Sequence, residues 1–191
     1  MSHNRKYEVR ILPENRELSK VTKHFFAIGF KYVSFGIVTS RCKASIYSSN
    51  DEWGAIYLEK GLFEKDPSLD ILMSTKRVMF PWSSLEKSDV IRMKQKACGL
   101  EDGISIFSHF KAGGGAILEL GVENKNDMKK LAWNFPIAEV KTGMEEFMTL
   151  HKKFFEKEHN YENTLNHRSR FETEPIIRVV PNPVEGYSLV G

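Results

Sequence analysis

Trp53, Tyr57, Asp66 and Trp82 lie within thirty positions of one another. Their side chains could supply the donors, acceptors and flat faces of a small-molecule site. Trp53 and Tyr57 are four apart, so on a helix they share one side. Asp66 follows a turn after that helix. A carboxylate accepts an N–H, an indole N–H donates to a carbonyl, and a phenol donates or packs. A second indole offers a flat apolar wall. Such a set suits a ligand carrying both an amide and a ring. The same residues also read as ordinary core aromatics, with Asp66 capping a helix whose first residue is Pro67. Spacing alone leaves both readings open.

Other chemistry finds little support. Gly113-Gly114-Gly115 lacks the GxxxxGK[ST] phosphate-loop pattern and precedes a strand, so a hairpin turn is the better reading. Lys141-Thr142-Gly143 has no SxxK partner in a plausible place. The six histidines are scattered and form no HExxH. Cys42 and Cys98 make neither a CxxC nor a zinc pattern and read as reduced thiols. No nucleophile elbow is present. A non-enzymatic protein without metal or cofactor is the expectation.

Composition bounds the rest. The chain has 191 residues, with 28 Lys and Arg against 25 Asp and Glu, a net charge of +3. That length fits one domain. With 41% apolar residues it can fill a core without disulfides. The small, dispersed charge does not predict nucleic-acid binding. The polar start has no apolar signal region, and no stretch reaches the ~18–20 apolar residues of a membrane span. A cytoplasmic protein with no membrane contact is expected.

The elements that would position these residues alternate along the chain. Residues 1–13 read as polar and loosely held. Leu18, Val21, Phe25 and Ile28 predict a helix over 14–28, followed by a strand over 30–38 and a shorter one over 43–48. Cap-type residues 49–51 precede the helix of Trp53 and Tyr57, which Gly61 ends. A short element covers 66–74, and 77–82 is extended. A helix is predicted from about Ser83 to Ala97, stopped by Gly99. Strands are predicted over 104–110 and 116–122, then helices over 124–133 and from 137 or 142 to about 159. After residue 160 comes a polar tail with a strand-like run at 176–180, read as an added edge strand or a docking arm. Paired strands with tight links, and helices between and after them, predict an α+β domain with a mainly antiparallel sheet.

Trp53-x3-Tyr57-x8-Asp66-Pro67, followed by Trp82 after a proline, resembles the autoinducer-binding domain of LuxR-type quorum-sensing regulators. Residues 18–35 look like that family's first helix and strand, and 97–105 like its glycine-bearing turn and next strand. The likeness covers roughly 15–155, giving an extension over 1–14, a sensor domain over 15–160 and a tail over 161–191. It implies a three-layer α-β-α sandwich with a mainly antiparallel five-stranded sheet. A small lipophilic signal, usually an N-acyl-homoserine lactone, would lie between the sheet and one helical layer. Carried over, Trp53 would bond the lactone carbonyl and Asp66 the amide N–H. Tyr57 would line the acyl side, Trp82 would pack by the lactone ring, and Gly103 would allow a close backbone approach.

Four positions depart from the family. Ser49 and Asn50 replace a Tyr-Pro pair, Phe107 replaces a proline, and Glu119 stands where a small Ser or Thr faces the ligand. A buried Glu119 needs a partner, and it points to a more polar ligand or to a shifted strand. Only 32 residues follow His159, without a paired helical pattern, so the family's helix-turn-helix and direct DNA binding are not expected. The implied role is a signal sensor in transcriptional regulation that acts through protein contacts. It would pair with itself or with a full-length regulator, with helix 141–159 as the dimer candidate. The other reading is a ligand-free module that heterodimerises with such a regulator.

Overall fold

A computed structural model of the chain describes residues 7–12, 16–75, 78–85, 87–111, 113–155, 178–182 and 186–190. Six strands form one sheet, in the order β1-β3-β2-β6-β5-β4. They are β1 (Glu8–Ile11), β2 (Tyr32–Thr39), β3 (Lys43–Ser48), β4 (Met79–Pro81), β5 (Asp102–His109) and β6 (Gly114–Val122). The helices are α1 (Arg16–Ala27), α2 (Asp51–Glu59), α3 (Pro67–Ser74), α4 (Asp89–Cys98), α5 (Lys125–Trp133) and α6 (Ile137–Phe155).

The α+β expectation holds, and the sheet differs in one strand. Residues 8–11, read from sequence as loosely held, form a sixth strand that pairs with β3 in parallel. The sheet is therefore mixed, not a five-stranded antiparallel one. The run Glu8-Val9-Arg10-Ile11 alternates polar and apolar residues, but its charged positions mask it in a search for apolar strands.

The central strands are buried on both faces, and their side chains divide by the two-residue period of a strand. On β2, Val33, Phe35 and Ile37 face a core with α1, α5 and α6. On β6, Leu118, Leu120 and Val122 join them, packed against Phe25, Met144 and Phe147. Phe147 stacks on both Phe25 and Phe35. The alternate residues face a second core, where Tyr32, Val38, Phe107 and Ile117 meet residues of α2, α3 and α4. The sheet thus lies between two helical layers.

Turn chemistry fixes the register of β5 and β6. Gly114 has φ 78°, and a Cβ there would lie 2.1 Å from the Val38 carbonyl oxygen. The hairpin link is 110–113, Gly114 and Gly115 open β6, and His109 lies opposite Gly115. The helix expected from Ser83 is instead two pieces. Trp82–Leu85 is a short 3-10 turn, and α4 starts at Asp89, where the Ser88 hydroxyl accepts the Ile91 N–H. At its other end α4 stops at Gly99, which is left-handed. In the tail, the strand expected at 176–180 is β7 (Arg178–Asn182). It pairs with β8 (Gly186–Val190) in a separate two-stranded sheet, not on the edge of the main one. The polar stretch 160–177 and the last residues of the dimer-candidate helix lie outside the described residues.

Candidate functional site

Three inward-facing positions of the central strands are polar. Ser34 on β2, Glu119 on β6 and Ser105 on β5 stand side by side, since Ser34 pairs with Glu119 and Ser105 pairs with Glu119. Their neighbours along each strand are apolar. This polar row lies on the face covered by α2, α3 and α4, where a small, partly open chamber lies. Its walls include Tyr32, Ser34, Trp53, Tyr57, Asp66, Ser68, Lys94, Ile117 and Glu119. The chamber volume is about 40 Å³. At ~10–15 Å³ for each water, that is room for a few water molecules.

Helix caps place the wall residues. Asn50 caps α2, its side-chain oxygen accepting the Trp53 N–H at 2.7 Å. The cap sets the start of the helix, so Trp53 and Tyr57 turn the same way and meet edge to face at 5.7 Å. Asp66 caps α3, with one carboxylate oxygen accepting the Ser68 N–H at 2.9 Å. Its other oxygen accepts the Tyr57 hydroxyl at 3.0 Å. Of the two sequence readings of Asp66, the helix cap is present, and the same carboxylate lines the chamber beside Trp53 and Tyr57.

Glu119 has partners. Lys94 of α4 donates to it at 2.6 Å and the Ser68 hydroxyl at 3.1 Å. The Lys94 ammonium also lies 3.8 Å from Asp66 and 5.1 Å from the centre of the Trp82 ring. Lys94 is only 1% exposed. Sequence reasoning missed it, yet a signal exists. Lys94 follows Val90 by four and Ile91 by three, which places a lysine on the apolar stripe of α4.

Charge is unevenly shared in this network. Burial works against the Lys94 ammonium, but the Glu119 and Asp66 carboxylates outweigh it and hold its pKa above the usual lysine range. Burial pushes the Glu119 carboxyl up, Asp66 adds to the rise, and Lys94 opposes it. Burial, then the Asp66 charge, raises the Tyr57 phenol. Tyr32 is raised by burial as well.

Trp82 sits deep beside this network. It is fully buried, and its indole N–H donates to the Ser105 hydroxyl at 3.0 Å. It is not among the residues that line the chamber, and its ring lies under the Lys94 ammonium. Gly103 makes that position possible. A Cβ at Gly103 would lie 2.6 Å from Trp82 Cε3 and 2.6 Å from the Leu120 carbonyl oxygen. The close approach expected at Gly103 is therefore present, with Trp82 as the approaching group.

No group of three or more His, Cys, Asp or Glu side chains among the described residues is placed to hold a metal ion. Cys42 and Cys98 are both free thiols. No described helix is long and apolar enough to cross a membrane.

The sequence pattern of the autoinducer-binding domain matches residues 16–139, which include every wall residue named above. The chain belongs to the autoinducer-binding domain family. Solved structures share the fold. One is CepR2 of Burkholderia cenocepacia, an N-acylhomoserine lactone-dependent LuxR family transcription factor. It is 21% identical, with a TM-score of 0.52, and the match covers 64% of this chain and 77% of that one. Another is Escherichia coli SdiA, 15% identical with a TM-score of 0.52, covering 71% of this chain and 60% of SdiA. SdiA in complex with octanoyl-rac-glycerol gives 14% identity, a TM-score of 0.52, and coverage of 73% and 62%. The matched part thus spans less than two thirds of the SdiA chain. No curated protein matches the sequence significantly. Strand β1 lies outside the family match, and its Ile11 adds to the chamber wall of this autoinducer-binding domain.

Proposed function

We propose that this autoinducer-binding domain senses a small acylated signal of the N-acyl-homoserine lactone type and acts in quorum-sensing transcriptional regulation through protein contacts. The observation that carries the reading is the meeting of Trp53, Tyr57 and Asp66 on one chamber wall within a domain of this family. Asp66 accepts the ligand N–H, and Trp53 donates its indole N–H to a ligand carbonyl. The Tyr57 hydroxyl holds the Asp66 carboxylate in place. An acylated signal is larger than the chamber, so the helical layer of α2, α3 and α4 moves outward to admit it. The response passes to a second copy or to a full-length regulator, with α6 as the contact helix. Calorimetric titration with N-acyl-homoserine lactones of short and long acyl chains tests the ligand. Heat at one chain length, lost in Asp66→Asn, supports it, and no heat across the series removes the assignment.

A second reading has its own observation. Lys94 already satisfies Glu119 and approaches Asp66, which suits a ligand-free module that heterodimerises with a full-length regulator. Solvent extraction and mass spectrometry of the purified protein separate the two. A bound acylated molecule supports the sensor; none, together with no lactone binding, supports the module.

A further inference from the structure

Lys94 reaches the chamber from α4, Asp66 from the start of α3, and Glu119 from the middle of the sheet. One ammonium thus ties together three elements that enclose the chamber. Its surroundings are those that recognise such a group: a carboxylate at 2.6 Å, a second at 3.8 Å, and an indole ring at 5.1 Å. The Ser68 and Ser105 hydroxyls complete the shell around Glu119.

We propose that the polar end of the chamber is a site for a primary ammonium group, filled from within by Lys94, which holds the helical layer closed on the sheet before any signal binds. The charges argue for this. Without the ammonium, two buried carboxylates, Asp66 and Glu119, would lose the cation they share. The geometry argues for it too. The remaining chamber is too small for an acylated molecule, so the closed state is the state that Lys94 completes. An incoming signal takes the longer of the two contacts, that with Asp66, while Lys94 stays on Glu119. This order of events rests on the sensor reading; the ammonium site itself does not.

Chemical rescue tests the site in the full chain without any signal. Lys94→Ala removes the atoms of n-propylammonium, so that ion is the probe. The melting temperature of Lys94→Ala should fall by roughly 10 °C, the drop expected when buried carboxylates lose their partner. Propylammonium chloride should then raise it in a saturable way, well beyond equal sodium chloride or n-propanol, while leaving the wild type unmoved. Equal effects of all three additives, or no effect, overturn the proposal. If Lys94→Ala does not fold, a cycle of Lys94→Met, Glu119→Gln and the double variant gives the answer. More than tenfold coupling in the folding equilibrium supports the site, and additivity overturns it. Rescue without lactone binding would keep the ammonium site and remove the sensor reading, so the two failures are distinguishable.

Discussion

Lys94 Nζ donates to Glu119 Oε2 at 2.6 Å across the face where α4 meets β6. This one bond joins a helix of the outer layer to the centre of the sheet. It also accounts for a glutamate on a buried strand whose other residues are three glycines, Ala116, Ile117, Leu118, Leu120 and Val122. Each partner makes the other tolerable in a dry site.

Glu119 should leave a pH signature. Its pKa is raised in the folded protein, first by burial. A raised carboxyl contributes its stability at low pH and loses it as pH rises through the folded value. Glu119→Gln cannot ionise, so its melting temperature should gain on the wild type as pH rises above about 4.5, the ordinary value. Parallel curves from pH 4 to 8 would show that Glu119 does not titrate as described.

His151 gives a signature of the opposite sense. It lies on α6, is 1% exposed, and burial lowers its pKa to about 4. A lowered histidine adds stability above its ordinary value, and that stability is lost as pH falls from about 6.5 towards about 4. The loss is roughly 3 kcal/mol at most. His151→Leu should flatten the acid limb of the stability profile, measured by urea unfolding at pH 4, 5, 6 and 7.

The α3 cap made by Asp66 and its proposed part in signal recognition can be separated by substitution. Asn keeps a side-chain oxygen for the Ser68 N–H, so Asp66→Asn should retain the α3 cap while weakening signal binding at least tenfold. Asp66→Ala loses the cap as well, at about 1 kcal/mol. Unfolding curves beside calorimetry distinguish the effects. Equal binding by Asp66→Asn and the wild type would deny the carboxylate a role in recognition.

Gly103→Ala should destabilise the domain by about 1–3 kcal/mol, since the added methyl lies against Trp82 and a backbone oxygen that must shift. Trp82 fluorescence should change with it. An unchanged melting temperature would mean that Trp82 relaxes freely.

The sequence made the site's first half legible because its signals are local. The Trp53–Tyr57 spacing, the Asn50 and Asp66 caps and Pro67 are all read within a turn or two of helix. Glu119 stood out only through the family resemblance, at a position where a small Ser or Thr is usual. Its partner did not, because Lys94 is 25 residues away on another element and only tertiary packing brings them together. Read as one of many lysines, it looks solvated; read against Val90 and Ile91, it lies on the buried stripe. Strand β1 was lost for a comparable reason. Its parallel pairing with β3 is non-local, and Glu8 and Arg10 mask its apolar residues. Trp82 was expected as a chamber wall from its place after Pro81. Its depth depends on Gly103, on a strand twenty residues later.

The most direct measurement of the sensor account is a titration of ¹⁵N-labelled protein with N-acyl-homoserine lactones, following the Trp53 indole N–H. The account predicts that this signal moves saturably and downfield with a lactone, and that Asp66→Asn weakens the response at least tenfold. A Trp53 indole signal unchanged at saturating lactone, for short and long acyl chains alike, would contradict it.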